Sequence, residues 1–232
     1  MADKLPSAES EIASFLAKVE ALPKLPQAAG KRGRLIFALD ATQSREPTWD
    51  QAAQIQAEMF DATAALGGLD IQLVHYGGIG GFEASPFLAD AVSLRARMLE
   101  VRCRPGGTQI ARVLAHARRA ALDEKVNALV FIGDAVEENA GELFDRAGAL
   151  ALLGLPVFLF HEGSGAEVRR VFAHIAELTG GACCRFDPAS ARQLADLLGG
   201  VAAYAAGGRA ALVHYAERKG GELLRLTAQL KR

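Results

Sequence analysis

Cysteine is scarce in this chain of 232 residues, with Cys103 alone and Cys183 and Cys184 side by side. Three thiols at these positions give no framework of bridges, and a vicinal pair seldom closes on itself. There is no C-x-x-C spacing either, so a thiol redox motif is excluded. Excess charge is lacking too. A net charge of −1 leaves no basic field to draw in nucleic acid or anionic lipid. Every apolar run is interrupted by Gly, Pro or a charge before it could span a bilayer, which excludes a membrane-crossing helix. "MADKLPSAESEIASF" holds no apolar signal core. Reduced thiols and no signal lead to the expectation of a cytoplasmic protein that binds neither membrane nor nucleic acid. Internal repeats and low-complexity segments are also missing.

What the chain does have is apolar residues, half of the total, arranged in alternating short blocks. Residues 8–21 have the period of a short amphipathic helix, and the Pro-broken "LPKLPQAAGKRG" follows as a linker, so 1–32 reads as a helix and linker. "RLIFALD" is apolar throughout, as a strand buried on both faces requires. "TWDQAAQIQAEMFDATAAL" predicts a helix with Thr48 and Gln51 as a capping box, stopped at Gly67-Gly68. "DIQLVHYGG" is a strand, and "GFEASPF" a short antiparallel edge strand behind a tight turn. Then come a helix over 88–102, a glycine break, a helix over 108–122 with Thr108 as its N-cap, and the strand "NALVFIGD". A helix over 137–154 carries Glu137, Glu138 and Glu142 in its first turn, where they favour the dipole. "PVFLFHEG", "AEVRRVFAHIAELTG", "GACCRFD" and "SARQLADLLGGVAAYAA" complete the alternation. The tail 204–232 reads as a helical extension, broken at Gly220-Gly221 and packed on or projecting from the rest. The fold class expected is α/β: a doubly wound, mainly parallel sheet with one short antiparallel edge strand and helices on both faces.

In such a sheet ligands bind beyond the carboxyl ends of the strands. Two strands end in aspartate, Asp40 and Asp134. Thr42 and Ser44 follow Asp40 at alternate positions, and "GGT" opens a helix at Thr108. If the two strands are neighbours, two carboxylates and three hydroxyls meet at one edge, and Gly106 and Gly107 let the Thr108 loop come close. Every donor is a hard oxygen, which suits Mg²⁺ or Mn²⁺ better than zinc. Asp40 is expected to lie past the buried part of its strand, so that its removal leaves the fold intact.

Asp40-Ala-Thr-Gln-Ser44, Gly106-Gly107-Thr108 and Asp134 together resemble the metal-ion-dependent adhesion site of von Willebrand factor A-type (vWA) domains. The resemblance spans roughly residues 33–203 and includes the "GGTQI" helix start and the "AELTGGACCRF" approach to the last strand. Thr42 stands where that family usually has Ser, and "GDA" at 133–135 replaces its common "TDG", losing the glycine after the aspartate. The resemblance implies direct coordination by Thr42 and Ser44, with Thr108 joining when a ligand is present. It implies that Asp40 and Asp134 act partly through water. It further implies a non-enzymatic protein-binding module that captures an Asp or Glu of a protein partner, within an ATPase or chaperone-type complex for example.

Two other readings compete. A haloacid-dehalogenase-type phosphatase would use Asp40 as nucleophile, but needs a second Asp where Thr42 stands, and Lys125 is on the wrong side of its strand. A metal-free scaffold with a degenerate site is the other. His75 and His161, near strand ends, read as solvated loop histidines. No nucleophile elbow is present, and at Gly30-Lys31 the P-loop hydroxyl is replaced by Arg32. The vicinal cysteines are expected to pack in the last strand.

Overall fold

The computed structural model describes residues 33–46, 69–186, 191–220 and 222–230. The helices read at 8–21 and 48–66 lie outside these residues. The strands are β1 (Gly33–Asp40), β2 (Leu69–Tyr76), β3 (Phe82–Ala84), β4 (Ala128–Gly133), β5 (Val157–Glu162) and β6 (Ala182–Phe186). The helices are α1 (Ala91–Glu100), α2 (Ile110–Asp123), α3 (Ala140–Leu152), α4 (Ala166–Thr179), α5 (Ala191–Lys219) and α6 (Glu222–Gln229). A single 3-10 turn, Gln43–Arg45, follows β1. The sheet is six-stranded in the order β3-β2-β1-β4-β5-β6. All neighbours run parallel except β2 and β3, whose three residues form the antiparallel edge.

Strict alternation along the central strands explains why their sequences are apolar throughout. Leu35, Phe37 and Leu39 of β1 face one core with Val130 and Ile132 of β4 and Phe158 and Phe160 of β5. Ile36 and Ala38 face the other core with Leu129, Phe131 and Leu159. The first core is closed by Leu94 and Met98 of α1, Val201 and Leu212 of α5, and Leu223 and Leu226 of α6. The second is closed by Val113 of α2, Leu143 of α3 and Phe172 of α4. Residues of the tail therefore belong to the same core as the sheet. The helix α5 is broken at Gly207 and Gly208, where φ/ψ leave the helical region.

Several helix starts differ from the sequence reading. Asp90 caps α1, accepting from the Ser93 amide at 2.7 Å, so the helix begins at Ala91 and not at 88. Thr108 does not cap α2, because Gln109 occupies that position and Thr108 stays in the loop. α3 starts at Ala140 behind Asn139, whose side chain accepts from Gly141 and Glu142 amides at 2.8 and 3.3 Å. Glu137 and Glu138 are thus loop residues, and only Glu142 is in the first turn. No helix among the described residues is long and apolar enough to cross a membrane.

Two expected outcomes test this packing. Phe37 is fully buried, so Phe37→Ala should lower the unfolding free energy in urea by about 3–5 kcal/mol. His75, His116 and His161 are all held below the ordinary histidine value of 6.5, in each case chiefly by burial. Below that value the unfolded chain takes up protons that the native state refuses. Their contribution is therefore present above 6.5 and lost as pH falls through and below it. Urea midpoints should fall between about pH 7 and about pH 5. His116→Gln, which keeps a donor for Gln72 Oε1, now 2.8 Å from Nε2, should flatten part of that slope.

Candidate functional site

The strand order reverses between β1 and β4, and the carboxyl ends of these two strands carry Asp40 and Asp134. They are hydrogen-bonded neighbours, so the two aspartates do come to one edge; a Cβ on Gly133 would lie 3.5 Å from that of Asp40. Asp40 is not past the buried part of its strand, however. It is 0 % exposed. Its Oδ1 accepts from the Thr42 amide at 2.8 Å and its Oδ2 from the Tyr76 hydroxyl at 2.9 Å. Burial pushes its carboxyl above the ordinary value, opposed by the bonds from Thr42 and Tyr76 and by Arg45. Burial, with Asp40 next, holds the Tyr76 phenol well above its own ordinary value, so it remains a donor. Asp40→Ala would open a cavity and leave that donor unpartnered, contrary to the sequence expectation.

Past Asp40 the chain turns through Thr42, which is buried, to Ser44, which is exposed. Their hydroxyls lie 3.1 Å apart, as the alternate spacing required. The loop is pressed between two others. The Ala41 amide donates to the Tyr76 carbonyl at 2.9 Å, and the Arg104 amide to the Ala41 carbonyl at 3.0 Å. A Cβ on Gly77 would stand 2.4 Å from the Ala41 carbonyl oxygen, and one on Gly106 the same distance from that of Gly78. Real side chains do not approach backbone so closely, so glycine is required at both positions.

Sequence reasoning missed Arg45. The residue is 1 % exposed. Nε and one terminal nitrogen donate to Glu162 Oε2 at 2.9 and 2.6 Å, and the other nitrogen donates to the Asp40 carbonyl at 2.6 Å. The Asp40 loop is thereby tied across β4 to the end of β5. In the sequence an arginine in a polar loop reads as solvated, and its partner is 117 residues away.

Thr108 stands at the same edge but turns to two acids. Its hydroxyl donates to Glu138 Oε2 at 2.5 Å and accepts from the Glu137 amide at 3.0 Å. Glu137 Oε2 takes the Thr108 amide at 3.1 Å, and Glu138 Oε1 takes the Ala111 amide at 2.9 Å. These carboxylates cap α2 from outside, which the 3.6-residue period within one helix could not reveal. Asp134 is half-buried, and its Oδ1 is a buried atom with no hydrogen-bond partner. His161 is likewise not a solvated loop residue: it is the fifth residue of β5 and 1 % exposed. His75 is half-buried in β2, its Nε2 3.7 Å from Glu83. Cys183 and Cys184 both lie in β6, Cys184 buried, where the sequence expected them to pack.

Among the described residues no three His, Cys, Asp or Glu side chains gather as a metal site. A cation at this edge would depend on hydroxyls as well as carboxylates. Two hydroxyls side by side and a buried carboxylate oxygen without a partner are hard, oxygen-only donors, and they fit a hard divalent ion.

No protein-family model and no curated protein sequence matches the chain. Solved structures do match in fold. A von Willebrand factor type A protein from Catenulispora acidiphila aligns at TM-score 0.63 and 17 % identity, over 77 % of this chain and 43 % of that one. Proximal thread matrix protein 1 of the mussel byssus, with a zinc-occupied MIDAS motif, aligns at 0.61 and 16 %, over 74 % and 48 %. The vWA domain of SpRpn10 aligns at 0.58 and 12 %, over 72 % and 94 %. This chain spans less than half the length of the first two proteins. The fold is that of vWA domains.

The buried pair is open to a direct test. Arg45→Met should cost about 3–5 kcal/mol in urea unfolding, because the buried Glu162 carboxyl group loses this guanidinium. Adding Glu162→Leu in the same chain should recover most of that loss. Equal losses for the single and double variants would show that the pair is not what holds the loop.

Proposed function

We propose that this protein is a non-enzymatic interaction module that uses a divalent cation, Mg²⁺ or Mn²⁺, to capture an acidic residue of a protein partner. The observation that carries the reading is the oxygen set at the β1–β4 switch point. Thr42 and Ser44 hydroxyls are paired at 3.1 Å, and Asp134 Oδ1 is buried beside the neighbouring strand end with no bond of its own. Thr42, Ser44 and Asp134 would hold the ion, and Asp40 would act through water, since both its oxygens already accept protein hydrogen bonds. When bound, the ion supplies a positive centre with room for one further anionic ligand. Two aspartates roughly balance its charge and the hydroxyls add none, so a partner carboxylate completes the site. Ser44, the exposed member, marks the open side. Thr108 would have to leave Glu138 and Glu137 to join a ligand-bound arrangement.

The phosphatase alternative draws no support from the geometry. Asp40 as a nucleophile would have to break from both Thr42 and Tyr76, and Thr42 cannot act as the general acid. A mussel matrix protein of the same fold carries zinc at its MIDAS motif, and a vWA domain of SpRpn10 shares the fold. The occupied motif of the mussel protein supports the cation reading, and partners of the ATPase or chaperone-complex type in the cytoplasm fit the composition.

Calorimetric titration with MnCl₂ should show one site in the wild type. Ser44→Ala or Asp134→Ala should abolish it, with the circular dichroism spectrum unchanged. Proteins captured on the immobilised chain in Mg²⁺ should be released by EDTA and not retained by Thr108→Ala. Changing the captured partner's acidic residue to its amide should have the same effect. Binding indifferent to EDTA, Thr108→Ala and every acidic residue of the partner would make this a metal-free scaffold using another face.

A further inference from the structure

Among the described residues, the buried side-chain nitrogens and oxygens without a hydrogen-bond partner are three: Asp134 Oδ1 and both ring nitrogens of His161. Asp134 stands one residue past the end of β4, and His161 lies in the neighbouring β5. β4 and β5 pair in register Gly133 to His161, which puts the imidazole beside the residue that leads into Asp134. Phe172 meets the ring edge-on at 5.9 Å and 81°, and a Cβ on Gly165 would lie 4.0 Å from Nε2. Burial, with Arg185 next, holds the ring below the ordinary histidine value, while Asp134 draws it up. A neutral ring has one N–H and one bare lone pair. Leaving both unpaired beside an unpaired carboxylate oxygen would cost what any buried polar group costs without a bond. Polar atoms too far apart for a direct bond commonly share a water, and a polar site of this kind is where buried water is found.

We propose that His161 is a positioning residue for Asp134, its ring N–H and Asp134 Oδ1 sharing one bridging water. This contact takes one lone pair of Oδ1 and fixes the carboxyl group, leaving that oxygen's second lone pair turned to the cation. The proposal rests on the cation reading given above. It adds a residue that the Asp-Thr-Ser pattern does not contain. Its logic is that of groups behind metal ligands, whose loss typically weakens metal binding about 10–100-fold without removing a ligand.

The test compares wild type, His161→Phe and His161→Gln by Mn²⁺ calorimetry and by melting temperature in EDTA. Phe fills the space but offers no polar atom, whereas Gln restores a donor and an acceptor. Expected are Mn²⁺ binding about tenfold or more weaker in the Phe variant and near-recovery in the Gln variant. The melting temperature in EDTA should be unchanged or raised for Phe, since a buried unpaired polar group is gone. A Phe variant that binds Mn²⁺ like wild type overturns the proposal. So does a loss of binding that merely follows a fall in melting temperature. If the wild type takes up no Mn²⁺, the cation reading fails, and the His161–Asp134 link is decided by imidazole ¹⁵N signals. Asp134→Ala must then shift those of His161 in the metal-free protein, and unmoved signals sink the link too.

Discussion

The arrangement of this sheet edge hangs on one buried cation that belongs to the protein itself, the guanidinium of Arg45. A guanidinium does not give up its proton under any condition the fold survives. Its burial therefore calls for the Glu162 carboxyl group beside it and the Asp40 carbonyl in line with it. Desolvating two charges is expensive, and such pairs are weak sources of stability. What this one does is fix a path. Between Asp40 and Arg45 the chain has no choice of trajectory, so the Thr42 and Ser44 hydroxyls come out side by side. The glycines at 77 and 106 complete the restraint from the other side by letting backbone meet backbone.

Around that fixed loop the polar groups divide by what they still have to offer. Asp40 is spoken for by Thr42 and Tyr76. Thr108 is held by Glu137 and Glu138, which also satisfy the open amides at the start of α2. Ser44 is exposed, and Asp134 has an inward oxygen with no partner. The edge thus separates a structural half, whose bonds are made, from a half with donor capacity to spare. A change at Glu138 would act on the Thr108 side by two routes at once, loosening the hydroxyl and uncapping a helix.

Much of this was legible because it is local or periodic. "LIFALD" and "LVFIGD" are apolar on both faces and end in aspartate, so a parallel central sheet with two carboxylates at one edge followed from elementary patterning. The spacing of Thr42 and Ser44 set their proximity. What escaped was made by residues distant in sequence. Asp40 was read as lying past the buried part of its strand because it is polar and terminal there, yet Tyr76 of the next strand covers it. Arg45 carries no mark of burial in its own neighbourhood. Thr108 looked like a cap by its position before an amphipathic run, and a carboxylate 30 residues away took that task. For His161 a signal did exist: it continues the alternation of Val157 and Leu159, which face one core, and so had to point inward as well.

At the far end of the sheet, among the described residues, β6 has a neighbour on one side only, β5. Gln229 of α6 reaches it with its amide group, accepting from the Cys183 N–H at 2.8 Å and donating to the Cys183 carbonyl at 3.1 Å. A side chain thus imitates one rung of a missing seventh strand, and Leu226 anchors the helix that delivers it. An open strand edge is a template for pairing with another chain. Here α6 occupies that edge at Cys183. α6 is thus a selvedge at this border, and the three-residue β3 forms the opposite one.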